Sequence, residues 1–115
     1  MKPVELGCAG HFICAMDCHW RRHTQIGRYR ISSVGDLYYQ SEPQKRQTIG
    51  ATGFFETMVF ELTNKLSSNN DGCGCREVKS WSAIDGERYE TAGAAQKGHE
   101  KYVRKYLRIE KRKWV

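Results

Sequence analysis

The run Phe54-Phe55-Glu56-Thr57-Met58-Val59-Phe60-Glu61-Leu62 constrains the fold more than any other stretch of the chain. Phe54, Met58, Phe60 and Leu62 fall on one side at the period of two that a strand imposes, and Phe55 and Val59 fall on the other. Both sides are therefore expected to be at least partly buried. Glu56 shares a side with Phe54, Met58 and Phe60, where an unpaired carboxylate would be costly. It needs an exposed strand end or a cationic partner.

The second constraint is C-terminal. Ala92, Ala95, His99, Tyr102, Val103, Tyr106 and Ile109 recur at helical spacing behind Thr91, a capping residue, and Gly93 and Gly98 weaken the pattern locally. The other side of this helix is basic. Residues 92 to 115 carry eight basic side chains (Lys97, Lys101, Arg104, Lys105, Arg108, Lys111, Arg112, Lys113) against Glu100 and Glu110, whereas residues 1 to 91 carry eleven of each sign. The net charge of +6 thus belongs to one element.

Between these landmarks, Arg28 to Val34 alternates as a half-buried strand, with Tyr29, Ile31 and Ser33 on one side. His11 to Ala15 is a short apolar run that suits a first strand. Asp17 to Gln25, polar and basic, reads as a connection or a short helical turn. Residues 40 to 53 lack periodicity and predict a mobile surface loop, and Ser67 to Gly74 predicts a polar one. Asp85-Gly86, flanked by Val78 to Ile84 and Glu87 to Tyr89, has the composition of a two-residue hairpin turn. The expected fold is α+β: an antiparallel sheet of four or five strands with the C-terminal helix packed on one face.

A chain of 115 residues forms one domain, residues 1 to 115, and buries a core without needing disulfides to fold. No apolar run approaches the roughly 18 residues that cross a bilayer, and membrane partners are not expected. The N-terminus lacks the basic start and apolar core of a secretory signal, so the expected compartment is the cytoplasm, that of the host cell if a phage encodes the chain. Cysteines there are thiols.

Five cysteines lie in two groups, Cys8, Cys14 and Cys18 early, then Cys73 and Cys75 between and after glycines. Such clusters in a reducing compartment point to metal or redox chemistry. Zinc takes four ligands in a tetrahedron, commonly as two short-spaced pairs from separate parts of the chain. The expected set is His11, Cys18, Cys73 and Cys75, with Cys14 as substitute. The bland alternative makes Cys8 and Cys14 small core residues and Cys73 and Cys75 ordinary loop thiols.

Two basic surfaces are candidates for phosphate or an acidic partner. Arg21, Arg22 and Arg28, with Arg30, lie near Trp20 and Tyr29, a combination that meets phosphate and stacks on a base. Arg104, Arg108, Lys111, Arg112 and Lys113 form the dense end of the helix. His23, Glu56 and His99 are the candidates for acid–base chemistry, though a histidine on an apolar helix stripe is more often a hydrogen-bonded core residue.

The segments Gly10-His11-Phe12-Ile13, Cys18 to Gly27, Tyr29 to Tyr39, Phe55-Glu56-Thr57-Met58-Val59-Phe60 and Tyr89 to Lys105 resemble a family of small proteins of phages, prophages and some bacteria. The resemblance spans most of the chain and implies no particular activity. In the family, the cysteine matching Cys18 and a later knuckle matching Cys73 and Cys75 recur, and Gly often replaces Cys14, which favours Cys18 as a ligand. A phage-type origin implies a protein that works by binding. The expectation is a zinc-stabilised inhibitor of a host defence protein or nucleic-acid complex, working against an acidic surface or nucleic acid rather than as an acidic DNA mimic. The alternative is a small metal- or histidine-dependent enzyme acting on a nucleotide or nucleic acid, and a third reading is a virion accessory protein.

Overall fold

The alternating run becomes the longest strand of a computed structural model that describes residues 2–6, 17–49, 53–66 and 75–113. In chain order the elements are β1 (Val4–Leu6), β2 (Cys18–Ile26), β3 (Tyr29–Leu37), β4 (Phe55–Leu66), β5 (Arg76–Val78), β6 (Asp85–Tyr89) and α1 (Ala92–Lys113). Every strand pairing is antiparallel. The order across the sheet is β1-β2-β3-β4, and β4 pairs β5 along its C-terminal half and β6 along its N-terminal half. The α+β architecture with the helix on one face is as expected, with six strands among the described residues.

Both sides of β4 are covered, for different reasons. On the helix side, Ile26, Tyr29, Ile31 and Val59 pack with Tyr102 and Tyr106, while Phe55 and Tyr89 pack with Ala95. Each fully buried aromatic of this kind stabilises the fold by roughly 1.5–3 kcal/mol relative to exposure. On the opposite side, Val34 and Phe60 cluster with Cys18, Leu37 and Ile49. The alternation that made β4 legible thus serves two separate apolar layers. Gly35 makes room for its cross-strand partner Phe55: a Cβ there would lie 1.9 Å from the Phe55 ring.

Thr91 caps α1 as expected, its Oγ1 accepting from the Ala94 amide at 3.1 Å and its carbonyl from the Ala95 amide. Gly98 has a packing role beyond its low helix propensity. A Cβ at this position would meet the Tyr89 hydroxyl at 2.0 Å, so its absence lets β6 approach the helix.

Two expectations change. Asp17 to Gln25 is mostly strand: β2 runs from Cys18 to Ile26 and pairs β1 and β3. Its polar side chains are compatible with a sheet because tertiary partners meet them: Arg22 pairs with Glu5 and Glu100, His23 with Ser32, and Thr24 with His99. Asp85-Gly86 is not a hairpin turn but the start of β6. β5 and β6 do not pair with each other; both lie antiparallel along β4, joined by residues 79–84, so together they act as one interrupted strand. The actual two-residue turn is Gly27-Arg28 between β2 and β3, where Gly27 has φ of 55° and precedes a residue of negative φ, as a type II′ turn requires.

Within the predicted 40–53 loop, residues 40–49 lack a named strand or helix but are tied to the sheet. Gln47 bridges to Leu37, Ile49 is buried, and Arg46 bonds Asp36 at 2.7 Å. β1 was not anticipated. The predicted strand at His11 to Ala15 and the polar loop at Ser67 to Gly74 lie outside the described residues.

Candidate functional site

The helix sorts its side chains by function. At about 100° per residue, Lys97, Lys101, Arg104, Lys105, Arg108, Lys111 and Arg112 fall within an arc of about 120°, opposite Ala95, His99, Tyr102 and Tyr106. Lys101 and Lys105 are engaged, bonding Glu87 and Asp85 on β6. Burial opposes the charge on Asp85, but hydrogen bonds from Lys105, Tyr106 and the Gly86 amide outweigh it and hold the carboxyl below its usual range. The exposed Lys97, Arg104, Arg108, Lys111 and Arg112 form no ion pair among the described residues. From Lys97 to Arg112 this face runs about 22 Å. Lys113 ends the helix backbone, and its side chain lies outside the described residues.

Beneath the helix lies a buried polar chain. His99 Nε2 is 2.7 Å from Thr24 Oγ1, His99 Nδ1 is 2.6 Å from Ser33 Oγ, and Ser33 Oγ is 2.6 Å from Thr57 Oγ1. Thr24 donates to the Glu5 carboxylate at 2.8 Å, so its remaining capacity is to accept. His99 must then donate from Nε2 and accept at Nδ1, which sets Ser33 as donor to His99 and Thr57 as donor to Ser33. This ordering requires a neutral ring. Burial, followed by the charge of Arg22, lowers the His99 pKa to about 4 and keeps the ring in that form.

Although Ser33 and His99 lie at the separation of a nucleophile and its base, both are fully buried, as are Thr24 and Thr57. The chain is therefore a core network in the described structure. His23, on the opposite side of the sheet, bonds Ser32 at 2.8 Å, and burial with nearby Arg30, His99 and Arg21 lowers its pKa to about 3. Glu56 binds Arg88 at 2.8 Å, the cationic partner its position demanded. His23, Glu56 and His99 do not converge on one cleft: His23 and His99 are on opposite sides of the sheet and Glu56 is committed to Arg88.

The basic cluster around β2 is dispersed. Arg30 is buried, Arg22 joins β1 to α1 through Glu5 and Glu100, and Arg21 is exposed on the sheet. Arg28, presented at the tip of the II′ turn, instead faces a cleft of about 560 Å³ lined by Gly27, Arg28, Leu62, Thr63, Asn64, Arg76, Lys79 and Glu110. Sequence reading missed Arg76, Lys79 and Glu110. Glu110 had a detectable signal, as it is an acid on the helix's inner side, but only the fold brings β5 beside it.

Of the expected metal ligands, His11, Cys14 and Cys73 lie outside the described residues. Cys18 and Cys75 are both buried. Register separates them: Cys18 sits opposite Leu37 at one end of the sheet, whereas Cys75 precedes Arg76, which pairs Leu66 at the far end of β4. Among the described residues no three His, Cys, Asp or Glu side chains gather as a metal-holding group, and no helix is long and apolar enough to cross a membrane. No protein family, curated protein or solved structure matches the chain.

Proposed function

We propose that the protein works by binding, presenting the outer face of α1 to a polyanion, and that its partner is a nucleic-acid-containing complex of a host cell whose action it inhibits. One observation carries the reading. Five cations on one helix face, Lys97, Arg104, Arg108, Lys111 and Arg112, have no acidic partner among the described residues, while the fold commits Lys101 and Lys105 to β6. The inner face already holds the core, so the outer face can change without loss of the fold. A row of fixed positive charge about 22 Å long matches a phosphate backbone, whose binding releases counterions.

The test is titration of a fluorescent double-stranded oligonucleotide at several salt concentrations, with the native chain and with Arg104, Arg108, Lys111 and Arg112 changed to Gln. The native chain should bind with a steep salt dependence. Removing up to four phosphate contacts should reduce the slope of log K against log salt by about 3 to 4. An unchanged slope would remove the helix from the interface. Capture from host lysate before and after nuclease treatment then identifies the target: a defined protein complex that survives nuclease supports inhibition, and recovery of nucleic acid alone refutes it.

A further inference from the structure

The cleft at the β2–β3 turn has the features of a ligand site independent of the outer face of α1. Arg76 is held rigidly across it, with Nη1 donating to the Gly27 carbonyl at 3.0 Å and Nη2 to Asn64 Oδ1 at 2.6 Å. A guanidinium has five N–H donors, so others remain for an anion after these two are used. Arg28 lines the same cleft from the turn, and Lys79, held by Glu61 at 3.0 Å, lines it from the residue after β5. Three cations thus converge from two separate segments, the β2–β3 turn and β5 with the residue that follows it.

At the cleft's inner wall is a carboxylate in an unusual state. The Glu110 side chain is only 2% exposed, and its Oε1 has no hydrogen-bond donor among the described residues. The Arg28 Nε lies 3.7 Å from that oxygen, close enough to neutralise charge and too far for a hydrogen bond. A buried carboxylate oxygen with no donor is costly, and a ligand hydroxyl or amine would remove the cost. Leu62 adds apolar surface. At about 560 Å³ the space is of small-molecule size, larger than a lone phosphate needs.

We propose that this cleft binds a nucleoside monophosphate, with the phosphate on Arg28, Arg76 and Lys79 and a sugar hydroxyl or base amine donating to Glu110. The pairing of cations with one donor-seeking carboxylate selects a phosphate ester that carries donors over inorganic phosphate, and Leu62 offers the sugar or base an apolar contact. The site does not use Arg104, Arg108, Lys111 or Arg112. Its failure and the failure of polyanion binding at the helix are therefore separable.

Isothermal titration calorimetry of the full chain tests this with adenosine monophosphate, ribose 5-phosphate, inorganic phosphate and adenosine. Adenosine monophosphate should bind at one site, more tightly than inorganic phosphate, and adenosine should bind weakest. Arg76→Gln and, because it is exposed and should not disturb folding, Lys79→Ala should each weaken adenosine monophosphate by about tenfold, as loss of a charge-assisted hydrogen bond does. Glu110→Gln should weaken adenosine monophosphate and leave inorganic phosphate unchanged or tighter. Equal affinity for the ester and inorganic phosphate, or binding indifferent to both Arg76→Gln and Lys79→Ala, would overturn the assignment. So would binding lost only when the four outer helix cations are neutralised. Ribose 5-phosphate decides the donor's source: affinity near that of adenosine monophosphate supports a sugar hydroxyl on Glu110, and loss of affinity supports the base amine.

Discussion

Acid should weaken this fold at a pH where most carboxylates are still ionised, because the core holds two neutral imidazoles. His99 is fully buried between Thr24 and Ser33, and its pKa is lowered to about 4. In the unfolded chain the ring titrates near 6.5. Between those values the unfolded state binds the extra proton, so stability is fully present above pH 6.5 and is lost as pH falls toward 4. Linkage between the two values gives a loss on the order of 2 kcal/mol at pH 5 relative to pH 8 for this one residue, approaching about 3 kcal/mol below pH 4. His23, with its pKa lowered to about 3, acts in the same direction and adds a comparable loss at pH 5.

Urea unfolding followed by circular dichroism at pH 8, 6.5 and 5 measures the effect directly. The native chain should lose stability steadily across this range. His99→Gln should be less stable at pH 8 by about 1 kcal/mol, having exchanged a two-sided hydrogen bond for a poorer one, but should lose only about half as much on acidification, the His23 part remaining. Equal unfolding midpoints at pH 8 and pH 5 would refute the argument. So would a drop in His99→Gln as large as that of the native chain, since the buried ring would then not be the group that takes up the proton.

Two further outcomes follow from packing and register. Gly35→Ala should destabilise by about 1–3 kcal/mol in thermal or chemical unfolding, because a new methyl group meets the buried Phe55 ring at 1.9 Å; an unchanged midpoint would mean that the ring has room to move. If zinc stabilises the chain, as the cysteine pattern suggests, elemental analysis should find it stoichiometrically. Cys18 and Cys75 lie toward opposite ends of β4 in register, so the expected outcome at a single site is that only one of Cys18→Ser and Cys75→Ser releases it. Metal-free protein of undiminished stability would refute zinc, and loss of a single ion in both variants would refute the separation.

Periodicity was most informative where one local pattern had one physical meaning. β4 and α1 were legible because the strand period of two puts Phe55 and Val59 on one side and Phe60 on the other, because Ala95, His99, Tyr102 and Tyr106 recur at three or four, and because both elements bury those sets. Thr91 was legible because a cap depends only on the amides just after it. β2 was not, since Arg22, His23 and Thr24 belong in a strand only once Glu5, Ser32 and His99 are beside them. Asp85-Gly86 misled for a related reason: its turn preference is real, but pairing with Val59 and Met58 overrides it.

The candidate site divides along the same line. Sequence alone determined that one helix would carry the excess positive charge and that its apolar stripe would face inward, because both properties depend on spacing within a single element. Tertiary structure alone decided which cations stay available. Asp85 and Glu87 engage Lys105 and Lys101 from a strand whose position depends on the pairing of β6 with β4. It also brought Glu110 beside Arg28, residues 82 positions apart, and Arg76 to the Gly27 carbonyl across the end of the sheet. Contacts between distant segments depend on register and crossover, and no local repeat in the sequence encodes them.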